Sequence, residues 1–364
     1  MIYLDNGATS FPKPPEVTGA MQEAMERCAN PGRGSHPASA EGAKALFACR
    51  EAAGGLFDCK AEQVVLTMNC THGLNMAIRT LVHPGDRVVI SGFEHNAVVR
   101  PLHALRARVA VAGRRLFDPE DTLRRFRRAL DRGARAAVFT HVSNVFGYVL
   151  PVEELAELCR RRGIPFVVDA AQSAGSRKVS LRKLGADFIA VPGHKGLLGP
   201  MGTGLLLCGR NPEPLLQGGT GGDSLSRKMP GYLPDRAEAG TANVPGFAGL
   251  AAGIARVAAL GEEKTGKQEA DLARQAGVIL KDRGFEVFSG PGQAGVLSFR
   301  GKGDCEEVAE EMARRGIAVR AGLHCAPVAH ESAGTLDTGT VRLSFGVDNT
   351  RQDLAALAAA TEGL

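Results

Sequence analysis

The apolar positions of this chain fall into short unbroken runs separated by longer stretches with helical spacing. Runs that read as strands span Gln63–Met68, Arg87–Ser91, Arg108–Ala112, Arg135–His141, Ile164–Asp169, Asp187–Val191 and Thr203–Cys208. Helical segments fill most of the gaps. Ahead of them, Pro15–Cys28 sets Val17, Met21 and Met25 at helical spacing, Ala38–Leu56 is a second amphipathic stretch, and Asn30–His36 is the loop between. Asp118 and Pro119 supply an N-cap and a first-turn proline for a helix through Leu130, and Pro151 opens one through Arg162. Continuous apolar strands alternating with helices require a mostly parallel sheet covered on both faces, an α/β fold.

The pattern changes after about Gly246. A helix-rich stretch to Arg283 leads into shorter strands (Phe285–Ser289, Gly295–Arg300, Ile317–Arg320, Thr340–Phe345) and helices over Asp304–Arg315 and Thr350–Ala360. The expected organisation is a large α/β domain over 15–245 and a smaller α+β domain from 246–364 together with 1–14. The connecting loop Gly218–Asn243 is too long for a mere connector, which points to a functional role.

Composition narrows the class. At 364 residues and 44% hydrophobic content the chain can bury more than one core. The longest apolar stretch, Gly246–Gly261, contains Arg256, so no membrane span is expected. The N-terminus has neither a basic n-region nor an apolar h-region, which argues against export and makes the cytoplasm the expected location. Eight scattered cysteines without CxxC pairs suit reduced thiols. His324, Cys325 and His330 invite a metal reading, but no HExxH or paired ligand spacing supports one, and no metal is expected. The net charge of +5 sits largely in arginine runs on predicted helices, and no nucleic-acid-binding module is present. Gly290–Gly295 matches GxGxxG, yet a strand follows where a dinucleotide site needs a helix, so it reads as a hairpin.

What remains is a series of polar residues at the carboxyl ends of predicted strands, where open α/β sheets keep their ligands. Lys195 lies in the glycine-dense turn Gly193–Gly204 between two core strands. It is either a solvated loop lysine or a partly desolvated amine able to condense with a carbonyl and hold pyridoxal phosphate. Cys70, Thr71 and His72 begin a helix whose free N–H groups form an anion cradle, with an ordinary Thr71 N-cap as the plainer reading. His95 can stack on a planar ring, and Asn144 can donate to a phenolic oxygen. Asp169 can pair with a pyridine nitrogen or cap the next helix, with Gln172 three residues on. An anion cradle, a stacking His, a pyridinium-pairing Asp and an amine on successive strand ends form one coherent site for pyridoxal 5'-phosphate.

At these residues the sequence resembles the class V aminotransferase superfamily, specifically the cysteine desulfurases. The resemblance is carried by Asp5-Asn6-Gly7-Ala8-Thr9, Asp169 with Gln172, Gly193-His194-Lys195, Gly199-Pro200-Met201-Gly202 and Ala239-Gly240-Thr241-Ala242-Asn243. It implies a fold-type I homodimer using pyridoxal phosphate, with Lys195 carrying the cofactor, His95 on the ring, Asp169 on the pyridine nitrogen and Gln172 on the phenolic oxygen. By the same resemblance Thr71 and His194 bind the phosphate, and Thr241 reaches the phosphate of the neighbouring subunit. The segment Arg320–Pro327 is similar to the desulfurase loop bearing the nucleophilic cysteine, here Cys325, and Arg342 matches the arginine that grips the substrate carboxylate. The implied reaction takes L-cysteine to alanine and leaves a Cys325 persulfide for a sulfur acceptor protein. Selenocysteine lyase, or another C–S lyase of the superfamily, is the alternative; a non-catalytic scaffold that kept the fold is the alternative of another class. The sequence departs from the family pattern at Gly7, Cys70, Pro192 and Leu323.

Overall fold

The structure, a computed structural model, describes residues 1–32, 34–222, 224–301 and 303–364. Arg33 of the loop at 30–36 and Asp223 of the loop at 218–243 lie outside the described residues. Among the described residues thirteen strands form three sheets: β1 Ile2–Tyr3, β2 Val64–Thr67, β3 Arg87–Ser91, β4 Arg108–Ala112, β5 Ala136–Thr140, β6 Phe166–Asp169, β7 Phe188–Pro192, β8 Gly204–Cys208, β9 Glu286–Phe288, β10 Val296–Arg300, β11 Ile317–Ala318, β12 Arg320–Gly322 and β13 Thr340–Ser344. The central sheet has seven strands in the order β2-β8-β7-β6-β5-β3-β4. Its pairs are parallel except those of β8, which runs against both neighbours.

Side-chain alternation explains why these strands read as unbroken apolar runs. Val89, Ala137, Phe139 and Ile189 enter one buried cluster, while Val88, Ile90, Ala136, Val138 and Phe188 enter a second on the opposite face. Every residue of β2, β5, β6, β7 and β8 is buried, so neither face can afford a polar alternation.

A third cluster, built around Leu297, Phe299, Met312, Leu343 and Leu354, belongs to a four-stranded antiparallel sheet in the order β12-β13-β10-β9. The glycine-rich turn at 290–295 closes the β9–β10 hairpin, as its sequence suggests. The run Ile317–Arg320, expected as one strand, is two: β11 pairs parallel with the N-terminal β1, and β12 joins β13 in the larger sheet. Val319 is the crossing point. Alternation alone cannot distinguish one strand from two that change partner. No single helix among the described residues is long and apolar enough to cross a membrane.

The long loop after β8 is fastened by Glu238. Its carboxylate takes Arg50 in a two-point pair (Nη1 at 2.7 Å, Nη2 at 2.6 Å) and the Leu66 N–H at 2.6 Å. Arg50 is 8% exposed, so removing Glu238 strands a buried cation. Glu238→Ala is expected to destabilise the protein by about 3 kcal/mol, read from chemical denaturation. Loss of the exposed Arg182–Asp58 pair should leave the same midpoint in place.

Candidate active site

Because β2, β3, β5, β6 and β7 point the same way, the segments that follow them meet at one edge of the sheet. Lys195 follows β7. Its neighbours Gly193 and Gly196 have no room for a Cβ, which would overlap the Thr203 hydroxyl and the Ala174 carbonyl respectively. The His194 carbonyl accepts the Ser10 N–H (3.0 Å), the Thr9 hydroxyl (2.9 Å) and Lys13 Nζ (2.8 Å), so the N-terminal segment pins the lysine loop from behind. Burial lowers the Lys195 pKa, Arg342 lowers it further, and Asp169 pulls the other way.

Asp169 ends β6 at 3% exposure. Its Oδ1 accepts the Ala171 N–H at 2.9 Å and the Cys70 thiol at 3.6 Å. Burial raises its pKa against the opposing pull of the Ala171 N–H and Lys195. Each member of this opposite-charge pair is thus penalised by lost hydration, and a cation placed against Asp169 would relieve it.

The helix Cys70–Leu81 is capped by Asn69, whose side chain accepts the His72 N–H at 2.8 Å. Thr71 is therefore not the cap; it stands in the exposed first turn. The Asn69 carbonyl takes the Gly73 N–H at 3.3 Å, which leaves those of Cys70 and Thr71 for an anion. Asn69, three residues before His72, is a readable N-cap signal that the Thr71 reading passed over. Two ring nitrogens, His72 Nε2 and His194 Nδ1, are buried without partners.

His95 caps the helix Asn96–Ala104, its Nδ1 accepting the Ala97 N–H at 3.0 Å. That contact fixes the proton on Nε2. Burial, with Lys195 next in weight, lowers the pKa to about 4, so the ring is neutral. The adjacent Glu94, also unremarked in the sequence, is fully buried and accepts the Thr140 N–H (2.9 Å) and the Ser91 hydroxyl, tying β3 to β5 beneath the site.

Asn144 follows β5 and donates through Nδ2 to the His324 carbonyl at 2.8 Å, while its own Oδ1 is buried without a partner. Gln172 Nε2 donates to the Gly7 carbonyl at 2.9 Å. Arg342, on β13, is 2% exposed rather than a surface strand residue. It donates to Asp5 Oδ1 at 2.6 Å and to the Asn144 carbonyl at 3.0 Å. Among the described residues no group of three or more His, Cys, Asp or Glu is placed to hold a metal ion.

Cys325 is the exposed thiol among eight cysteines. It follows β12, and its carbonyl accepts the Asn96 N–H at 2.7 Å, directly after His95. His324 and Cys325 both have left-handed backbones, φ 48° and 57°. The His324 ring turns inward to Thr340 (Nε2 to O 3.1 Å), and burial drops its pKa to about 2, so it is a buried neighbour of the thiol and not a charged one. Thr241 is exposed, in a groove that it shares with Gly219, Met68 and the cluster's His72.

Two outcomes follow from this arrangement. Iodoacetamide should label Cys325 first, with Cys49 and Cys159 protected by burial and by thiol pKa values pushed up to about 12, as read by peptide mass spectrometry. The second concerns acid. His95, His141, His194 and His330 are held to about 4 and His324 to about 2, so between about pH 6.5 and 4 the unfolded chain binds protons that the folded chain refuses. Glu94 and Glu269, pushed up to about 8, and Glu262, to about 7, oppose this with fewer groups. The urea midpoint is expected to fall as pH drops from about 6.5 to 4.5, and His141→Gln should flatten that slope.

Comparison with known proteins agrees with the fold. The aminotransferase class-V family matches residues 2–357. A probable cysteine desulfurase of Methanothermobacter thermautotrophicus is 34% identical, covering 98% of this chain and 92% of that protein. One from Pyrococcus abyssi is 34% identical over 100% of this chain and 94% of its own length. The apo structure of cysteine desulfurase from Thermococcus onnurineus superposes with a TM-score of 0.90 at 33% identity, covering 99% and 94% of the two chains. These matches span the whole chain, the strand-end cluster and the Cys325 loop included, and the chain belongs to the aminotransferase class-V family, within it to the cysteine desulfurases.

Proposed function

We propose that this protein is a pyridoxal-phosphate-dependent cysteine desulfurase that converts L-cysteine to L-alanine and holds the sulfur on Cys325 for an acceptor protein. One observation carries the reading. The exposed thiol is tied by its backbone to the helix that His95 caps and, through the His324 carbonyl, to Asn144, so the segment bearing a nucleophile is anchored to the strand-end cluster.

The residues present fit the cofactor. Unused N–H groups at Cys70 and Thr71 and the partnerless nitrogens of His72 and His194 suit a phosphate, and Asp169 suits a protonated pyridine nitrogen. The open groove holding Thr241 suits the approach of a second copy, in keeping with a homodimer. Bound there, pyridoxal phosphate supplies an electron sink that stabilises negative charge at the substrate Cα. The division into a cofactor-binding unit, 15–245, and a smaller unit of 1–14 with 246–364 is supported by the pairing of β1 with β11.

Each side chain then has a task. Lys195, its pKa lowered by burial, would carry the cofactor and would take and return the proton at the substrate Cα. Neutral His95 would cover the cofactor ring, and Gln172 and Asn144 would supply donors to its phenolic oxygen. Arg342 holds the substrate carboxylate. The Cys325 thiolate attacks the substrate sulfur: a Cys325 S–S bond forms, the substrate Cβ–S bond breaks, and its electron pair stays with carbon, which leaves as alanine after protonation.

The test is mass spectrometry of the protein after L-cysteine, with alanine quantified alongside. A 32-Da gain on Cys325 with equivalent alanine is the expected outcome, about one sulfur per site. Cys325→Ala should abolish both and lower turnover by at least about 10³-fold. A persulfide on any other thiol, with Cys325 unmodified, would sink the assignment.

A further inference from the structure

Arg342 is a cation nearly withdrawn from water, and its charged partner comes from the far end of the sequence. Nη2 meets Asp5 Oδ1 at 2.6 Å, Nη1 meets the Asn144 carbonyl at 3.0 Å, and Nε is buried with no partner. A guanidinium carries five N–H donors, so each terminal nitrogen keeps a second N–H. The backbone of Asp5 is held independently of its side chain: it bridges to Ser344, and its carbonyl accepts the Tyr3 hydroxyl at 3.1 Å. Gly7 lies over the same guanidinium. A Cβ there would sit 3.4 Å from Arg342 Cζ and 3.1 Å from the Ser344 hydroxyl, so the missing side chain leaves space above the cation.

We propose that Asp5 is a positioning residue: with the Asn144 carbonyl it fixes the rotation of Arg342 so that the remaining terminal N–H pair receives the α-carboxylate of an amino acid and rejects amines that lack one. This rests on the desulfurase reading for the amino-acid substrate and for Arg342 as the partner of its carboxylate. The physical case has two parts. A guanidinium free to rotate loses entropy on gripping a carboxylate, and one already held by two acceptors does not. The charge of Asp5 also compensates a cation that otherwise stands with Arg320 and Lys195 in a poorly hydrated site: burial lowers the Arg342 pKa, Arg320 lowers it further, and Asp5 pulls against both.

The test uses the holoenzyme as wild type, Asp5→Asn and Asp5→Ala. Each is titrated with L-alanine, which has the carboxylate, and with ethylamine, which does not, by cofactor absorption. Asn keeps the shape of Asp and all backbone contacts, so the fold survives, and thermal midpoints run in parallel check this. In both variants the Kd for L-alanine is expected to rise at least about tenfold while that for ethylamine stays within about twofold. Unchanged L-alanine binding in Asp5→Asn overturns the proposal, as does a loss shared equally by ethylamine. Tighter L-alanine binding also overturns it, and would make Asp5 a competitor for Arg342. A wild type that fails to bind L-alanine overturns it too. A wild type that binds L-alanine yet forms no persulfide from L-cysteine would sink the desulfurase reading and leave this one standing.

Discussion

Two opposite charges, Asp169 and Lys195, are kept out of water at the edge of a sheet that is buried on both faces. Most of the architecture answers to that constraint. The strands carrying the pair, β6 and β7, are adjacent and parallel, with Asp169 in register with Ala190. Their apolar side chains fill the clusters on either side of the sheet, and that packing sets how far the loops beyond can shift. The lysine loop has little freedom of its own: glycines press it against Ala174 and Thr203, and the N-terminal segment closes on the His194 carbonyl. A charge pair so poorly hydrated is costly when empty, and the site is prepared for a ligand that brings charge and hydrogen-bonding groups.

The second sheet supplies what the first lacks. It brings Arg342 and the Cys325 backbone to the strand ends, and hydrogen bonds to carbonyls fasten the loop there. The Leu323, His324 and Cys325 carbonyls are each taken, by Ala326 N–H, Asn144 Nδ2 and Asn96 N–H in turn. The N-terminal segment completes the junction, since β1 pairs with β11 while Asp5 and Asn6 meet β13.

Much of this was legible in the sequence, for physical reasons. Strands buried on both sides must be apolar throughout, so β2, β5, β6, β7 and β8 stand out, and the expected ends of all seven central strands are displaced by at most two residues. The chemistry-bearing residues follow those ends, which is why Lys195, Asp169, His95 and Asn144 could be gathered before any coordinates. Four things were harder to read. The split at Val319 leaves no trace in alternation, because both halves are extended. The Asn69 cap was masked by Thr71 two residues on. The pairing of Asp5 with Arg342 spans nearly the whole chain, and no local pattern encodes a contact of that range. The short helix Pro327–Ala333, which buries His330 behind the thiol, has too few turns to show a period.

The consecutive left-handed residues at the tip of the cysteine loop bear on how sulfur can leave. A non-glycine residue in that region costs on the order of 1–2 kcal/mol, and two in succession persist only because neighbouring carbonyls are locked. The loop is a short, braced hook and not a tether. Its thiol is exposed at the end of that hook, so, on the proposed reading, sulfur leaves only to a visitor that brings its own acceptor there, and the shape of that visitor's tip becomes the selective element.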